Sequence, residues 1–78
     1  MILKDILLGL TELCLTGNNG PAGSLRNLIV DVRRGDRPLR DLVAKTPDVK
    51  AFKYPMTAMK TLIMLDRLDR DGYTSYWL

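Results

Sequence analysis

Tyr54-Pro-Met-Thr-Ala-Met-Lys-Thr-Leu-Ile-Met-Leu-Asp-Arg-Leu-Asp-Arg-Asp-Gly72 reads as one amphipathic helix from end to end. Pro55 suits a first helical turn, where a missing N–H costs nothing, and Gly72 suits the stop. Between them Ala58, Met59, Leu62, Leu65 and Leu68 recur at three- and four-residue spacing, which predicts a buried stripe. Thr57, Lys60, Met64, Arg67 and Asp71 fall on the opposite face. The residues that follow, Tyr73-Thr-Ser-Tyr-Trp-Leu78, have strand propensity, so the chain is expected to add at most one short C-terminal strand.

Working back from this helix, Asp48 to Tyr54 reads as a single helical turn or an irregular bridge, because Tyr54 precedes a proline and is pushed out of helical geometry. A short helix before it has Asp36 as cap, Pro38 in its first turn and Leu39, Leu42 and Val43 as its buried side, and Thr46-Pro47 breaks it. Ser24 caps another, whose Leu25, Leu28, Ile29 and Val32 form one stripe that Gly35 ends. The N-terminal helix, residues 1–16, places Leu3, Ile6, Leu7, Leu10, Leu13 and Cys14 on one face, with Lys4, Asp5, Thr11 and Glu12 turned away. Leu8 and Leu15 widen its apolar side, and that surplus either covers a neighbouring helix or forms a dimer seam. The expected fold is mostly α: a small single-domain bundle of four to five helices.

Composition narrows the function. A chain of 78 residues with 46% hydrophobic and 27% charged residues has the balance of a folded globular domain, with little room for an enclosed active site. There is no histidine, and one cysteine, Cys14, cannot close an internal disulfide; the expectation is no metal, no cofactor and a reducing, cytoplasmic setting. No catalytic residue emerges, because the glycines of Gly17-Asn-Asn-Gly20-Pro-Ala-Gly23 follow a helix rather than a strand and no carboxylate pair sits in an evidently buried setting. The apolar run at the N-terminus is too short and too often interrupted by charge to span a bilayer, so no membrane role is expected.

Charge is concentrated in the middle of the chain. The formal total is +3, and residues 21–50 by themselves carry +3. Arg33, Arg34, Arg37 and Arg40 gather around one helix junction, with Lys50 further on. Such a junction either grips phosphates, each cation displacing a condensed counterion, or is a solvated surface on which Asp31, Asp36 and Asp41 neutralise the arginines.

The order of elements from Ser24 onward resembles a winged helix-turn-helix unit. A first helix (24–34), the link Gly35-Asp36-Arg37-Pro38, a second helix (39–45) and a longer third helix close on Leu65-Asp-Arg-Leu68-Asp-Arg-Asp71-Gly72-Tyr73. That phrase looks like the Leu-x-x-Leu-x-x-Asp-Gly-aromatic ending of the superfamily. The resemblance implies a small transcriptional regulator whose last helix lies in the major groove of double-stranded DNA. Lys53, Thr57, Lys60 and Thr61 would then read bases, Arg33, Arg34, Arg37, Arg40 and Lys50 would hold phosphates, and helix 1 would supply a homodimer contact.

A second class of function stands beside it: a small α-helical modulator or inhibitor of another protein, as from a phage or mobile element. Leu8, Leu15, Phe52 and Met64 are its interface candidates, with Met56, Met59 and Met64 beside Tyr54 and Phe52 as an adaptable apolar docking patch in which Met64 is the methionine on the outward face of the last helix. The acidic end of that helix, Asp66, Asp69 and Asp71, favours this class, since it would repel phosphate.

Overall fold

The computed structural model describes residues 3–44 and 48–72. Among these residues four α-helices are formed: α1 (Leu3–Leu13), α2 (Gly20–Arg34), α3 (Leu39–Val43) and α4 (Pro55–Asp71), with one 3₁₀ turn at Val49–Ala51. No strand occurs among the described residues; a single antiparallel bridge joins Leu15 to Phe52. The expected mostly α bundle is what the chain forms, and the C-terminal strand falls on residues 73–78, outside the described part.

Helix boundaries follow local chemistry. Gly35 ends α2 with φ of 83°, a left-handed geometry that suits glycine. Its N–H reaches the Val32 carbonyl at 3.2 Å and the Asp36 N–H reaches Asp31 at 2.9 Å, the paired bonds of a Schellman stop. Asp36 is thereby engaged at the end of α2, and α3 starts from Pro38 rather than from an aspartate cap. Nor does α2 begin at Ser24: it starts at Gly20 behind Asn19, with Pro21 in its opening turn. A Cβ at Gly23 would collide with the Asn18 carbonyl, so the loop before α2 folds back onto its first turn only because residue 23 has no side chain.

α1 and α4 pack side by side and antiparallel: Leu3 and Leu7 share a cavity with Met64 and Leu68, Thr11 meets Thr61, and the Cys14 carbonyl accepts from the Lys53 N–H at 2.7 Å. The core between the helices contains Leu7, Leu8, Leu15, Ile29, Val32, Leu39, Leu42, Phe52, Ala58, Leu65 and Leu68. Cys14 is buried there as well, and burial pushes its thiol pKa up, which keeps it in the neutral form. α1 ends at Leu13, earlier than Thr16-Gly17, because the chain from Cys14 straightens to pair with residues 51–53; the Thr16 N–H reaches the Ala51 carbonyl at 2.9 Å.

The inward face of α1 differs from the expected one. Leu7, Leu8 and Thr11 are buried, whereas Ile6, Leu10 and Leu13 are exposed. On α4 it is Ala58, Thr61, Leu65 and Leu68 that turn inward, and Met59 is exposed. Both changes have one cause. Thr11 and Thr61 sit at the centre of the α1–α4 seam with their Oγ1 atoms 2.7 Å apart. Each hydroxyl also lies 2.8 Å from a carbonyl of its own helix, Leu7 for Thr11 and Ala58 for Thr61. Three contacts share two hydroxyl protons. One threonine therefore donates to its helix carbonyl while the other donates across the seam, and both hydroxyls stay satisfied away from water.

Replacing either threonine by valine, which keeps its shape, is expected to cost about 1 kcal/mol in urea-unfolding free energy. The double variant is expected to cost clearly less than the two singles together, because the surviving hydroxyl loses its cross-seam partner in both singles. Strict additivity would show that the two hydroxyls do not act as a pair.

Candidate functional site: the outer face of α4

Of the four residues expected to read bases, Lys53, Thr57 and Lys60 are exposed at the N-terminal half of α4 and just before it, and Thr61 is not. It is buried against Thr11, which removes it from any surface role. Lys53 lies over the Tyr54 ring, its Nζ 5.6 Å from the ring centre.

The arginine cluster divides among carboxylates on all four helices. Arg33, together with Arg26, pairs with Glu12 of α1 at 3.1 and 3.0 Å. Arg26 also donates to the Gly17 carbonyl at 3.2 Å, tying α2 to the end of α1. Arg37 bridges Asp31 and Asp41, each at 3.6 Å. Arg40 reaches from α3 to α4, where its Nε donates to Asp69 at 2.8 Å and its Nη2 donates to Asp66 at 3.0 Å and again to Asp69. Hydrogen bonds to Asp69 first and Asp66 second raise the Arg40 pKa above the ordinary guanidinium value, so this cation stays charged at every pH the fold meets. Of the five expected phosphate ligands, Arg33, Arg37 and Arg40 are thus engaged in holding helices together. Arg34 and Lys50 have no carboxylate partner among the described residues.

The acidic end of α4 has the same explanation. Asp66 and Asp69 face α3 and hold Arg40, and Asp66 takes Arg70 as well at 3.1 Å. The guanidinium fork suits this double grip, with parallel N–H bonds to two carboxylates on successive turns.

Three of the four expected partner-interface residues are core. Leu8, Leu15 and Phe52 are buried, Leu15 and Phe52 as the two halves of the bridge between the α1 exit and the α4 entry. Met64 is exposed, and it turns toward α1, where it lines a cavity with Leu3, Leu7, Arg67 and Leu68.

The outermost strip of α4 includes Ile63, which the sequence pattern did not single out. Met56, Met59 and Ile63 are 76%, 54% and 52% exposed and lie at i, i+3 and i+7 on one face. Lys60 and Arg67 interleave with them, and neither has a carboxylate partner among the described residues. The available signal was the width of the apolar pattern: Met56, Met59, Leu62, Ile63, Met64, Leu65 and Leu68 are more than one neighbouring helix can cover.

Among the described residues no three His, Cys, Asp or Glu side chains come together to hold a metal ion, and no helix is long and apolar enough to cross a membrane. Comparison with protein-family models, with curated proteins and with solved structures found no match.

Arg40→Ala is expected to lower the melting temperature, with a smaller drop in about 1 M salt, where the Debye length falls to roughly 3 Å. Arg40→Lys should recover only part of the loss, because an ammonium cannot present the fork. Equal melting temperatures for all three proteins would show that the contact between α3 and the Asp66–Asp69 edge contributes nothing to the fold.

Proposed function

We propose that this protein works by binding another protein through the outer face of α4, as a small helical modulator. The observation that carries the reading is the exposed strip Met56, Met59 and Ile63, flanked by Lys60 and Arg67, which have no carboxylate partners among the described residues. Three large apolar side chains on one helical face, each more than half in water, are a cost to a monomer and a gain to a complex. Methionine suits such a surface because its unbranched, polarizable side chain adapts to the partner's shape.

The cations set the chemistry of the partner. An amphipathic helix with an apolar stripe and acidic flanks would lay that stripe on Met56, Met59 and Ile63 and place its carboxylates beside Lys60, Arg67 and Lys53. The rest of the surface supports this choice, since Arg26, Arg33, Arg37, Arg40 and Arg70 already have carboxylates of their own.

A second reading, α4 in the major groove of double-stranded DNA, keeps support from the exposed Lys53, Thr57 and Lys60. It has less support from phosphate ligands, of which Arg34 and Lys50 stay uncommitted, and it would put Met56 and Met59 against a polar groove.

The test uses partner captured from cells that carry the protein, then purified and titrated. The variant Met59→Glu/Ile63→Glu is expected to weaken binding at least about ten-fold, roughly 1.4 kcal/mol, without changing the melting temperature, since both side chains are more than half exposed. Arg34→Glu should leave binding unchanged. Binding to random-sequence duplex DNA that falls steeply with salt and collapses in Lys53→Glu/Lys60→Glu would overturn the protein-partner reading in favour of the groove.

A further inference from the structure

α1 has more apolar surface than its own fold uses. Leu7, Leu8 and Thr11 face inward, yet Ile6 and Leu10 are 42% exposed and Leu13 is 76% exposed, at i, i+4 and i+7 along one edge. Gly9 sits within that edge, one turn from both Ile6 and Leu13. A Cβ at Gly9 would meet nothing within 4 Å, and its φ is not positive, so neither crowding nor backbone geometry in the folded chain calls for glycine here. A mid-helix glycine weakens a helix relative to alanine, and the structure offers no internal return for that loss. Beside the edge, between α1 and α4, lies a cavity of about 120 Å³ lined by Leu3, Leu7, Met64, Arg67 and Leu68.

We propose that this edge of α1 is a self-association surface, and that its occupant is the α1 of a second copy, antiparallel across a two-fold axis near Gly9 and Leu10. The axis would set Ile6 against Leu13 of the partner subunit and Gly9 against Leu10 of the partner subunit. Each Leu13 would then approach the other copy's cavity mouth beside Leu3 and Leu7.

Three observations favour a second copy over any other occupant. The projecting side chain and the cavity lie on one face of one chain, which is the self-complementarity a two-fold interface requires. The edge carries no charged residue, since Lys4, Asp5 and Glu12 fall on other sides of α1 and Glu12 is held by α2. Two chains of net charge +3 therefore meet along an uncharged helix edge with Arg67 confined to the cavity wall, whereas the outer face of α4 presents both Lys60 and Arg67. Finally, glycine at the crossing lets two helix backbones approach closely, as small residues do at packed helix pairs, and antiparallel dipoles attract. The apolar residues of this surface are not those of the Met56, Met59 and Ile63 strip, with Arg67 alone bordering both, so this inference does not rest on the partner proposed above.

Contact along one helix of 11 residues, about 16 Å, places the interface at the small end of the range and the dissociation constant in the micromolar range. Sedimentation equilibrium of the full chain up to roughly 500 µM tests this. The wild type is expected to pass from monomer to dimer. Leu13→Lys, a cation the last turn of a helix accepts, is expected to weaken the dimer at least ten-fold with the helical spectrum unchanged. Gly9→Ala should raise the melting temperature at concentrations where the protein is monomeric, yet weaken the dimer several-fold by holding the helices apart. A monomer throughout the range overturns the proposal and leaves the edge to a different protein. A dimer indifferent to both substitutions overturns it too.

Discussion

The hydroxyl pair of Thr11 and Thr61 sets the register of α1 against α4, and the surfaces of this protein follow from that register. Two helices with apolar residues on several sides have many ways to pack, and apolar contact by itself ranks them poorly because it is non-directional. A hydrogen bond of 2.7 Å in a dry seam is directional and costly to leave unmade. With Thr11 and Thr61 opposed, Leu7 and Leu8 fall inward with Leu65 and Leu68. Ile6, Leu10 and Leu13 on one helix, and Met56, Met59 and Ile63 on the other, fall outward. The apolar residues left in water are thus a consequence of how the core is keyed.

Charge completes the scaffold that this seam begins. Glu12 takes Arg26 and Arg33 and so holds α2 to α1, and Asp66 with Asp69 holds α3 to α4 through Arg40. These groups are partly exposed, where individual ion pairs are weak, but each joins more than two charged side chains, and the one around Arg40 fixes α3, a short element with little apolar area of its own. α3 has five residues and buries only Leu39 and Leu42, so its position depends on Arg40 more than a longer helix would. The arginines that looked like a phosphate grip are for the most part the fasteners of a small bundle.

Much of the fold is legible in the residues because punctuation is local. Gly35, Pro55 and Gly72 mark helix ends through backbone preferences that act within a turn, and the structure agrees at each. The start of α2 is misread from Ser24 because the decisive features, Pro21 and the close approach at Gly23, depend on how the loop folds back. Faces are harder than ends. On α1 five leucines and an isoleucine leave the inward direction undetermined, and a threonine buried by its partner 50 positions away gives no local sign of it. Arg40 is similar: its carboxylates lie 26 and 29 positions on, while Asp36 and Asp41 are the neighbours in the chain. The candidate site is therefore only half legible, since exposure of Met56, Met59 and Ile63 is decided by the register and not by their spacing.

The most direct measurement of that register is a methyl NMR experiment with a soluble paramagnetic probe, which reports side-chain exposure without any partner. At concentrations where the chain is monomeric, the methyls of Met56, Met59 and Ile63 should be strongly broadened, while those of Leu8, Ala58, Leu65 and Thr61 should be protected. Protection of Met59 with broadening at Thr61 would contradict the account, because it would mean that α4 is rotated and that the seam is not keyed by the two threonines.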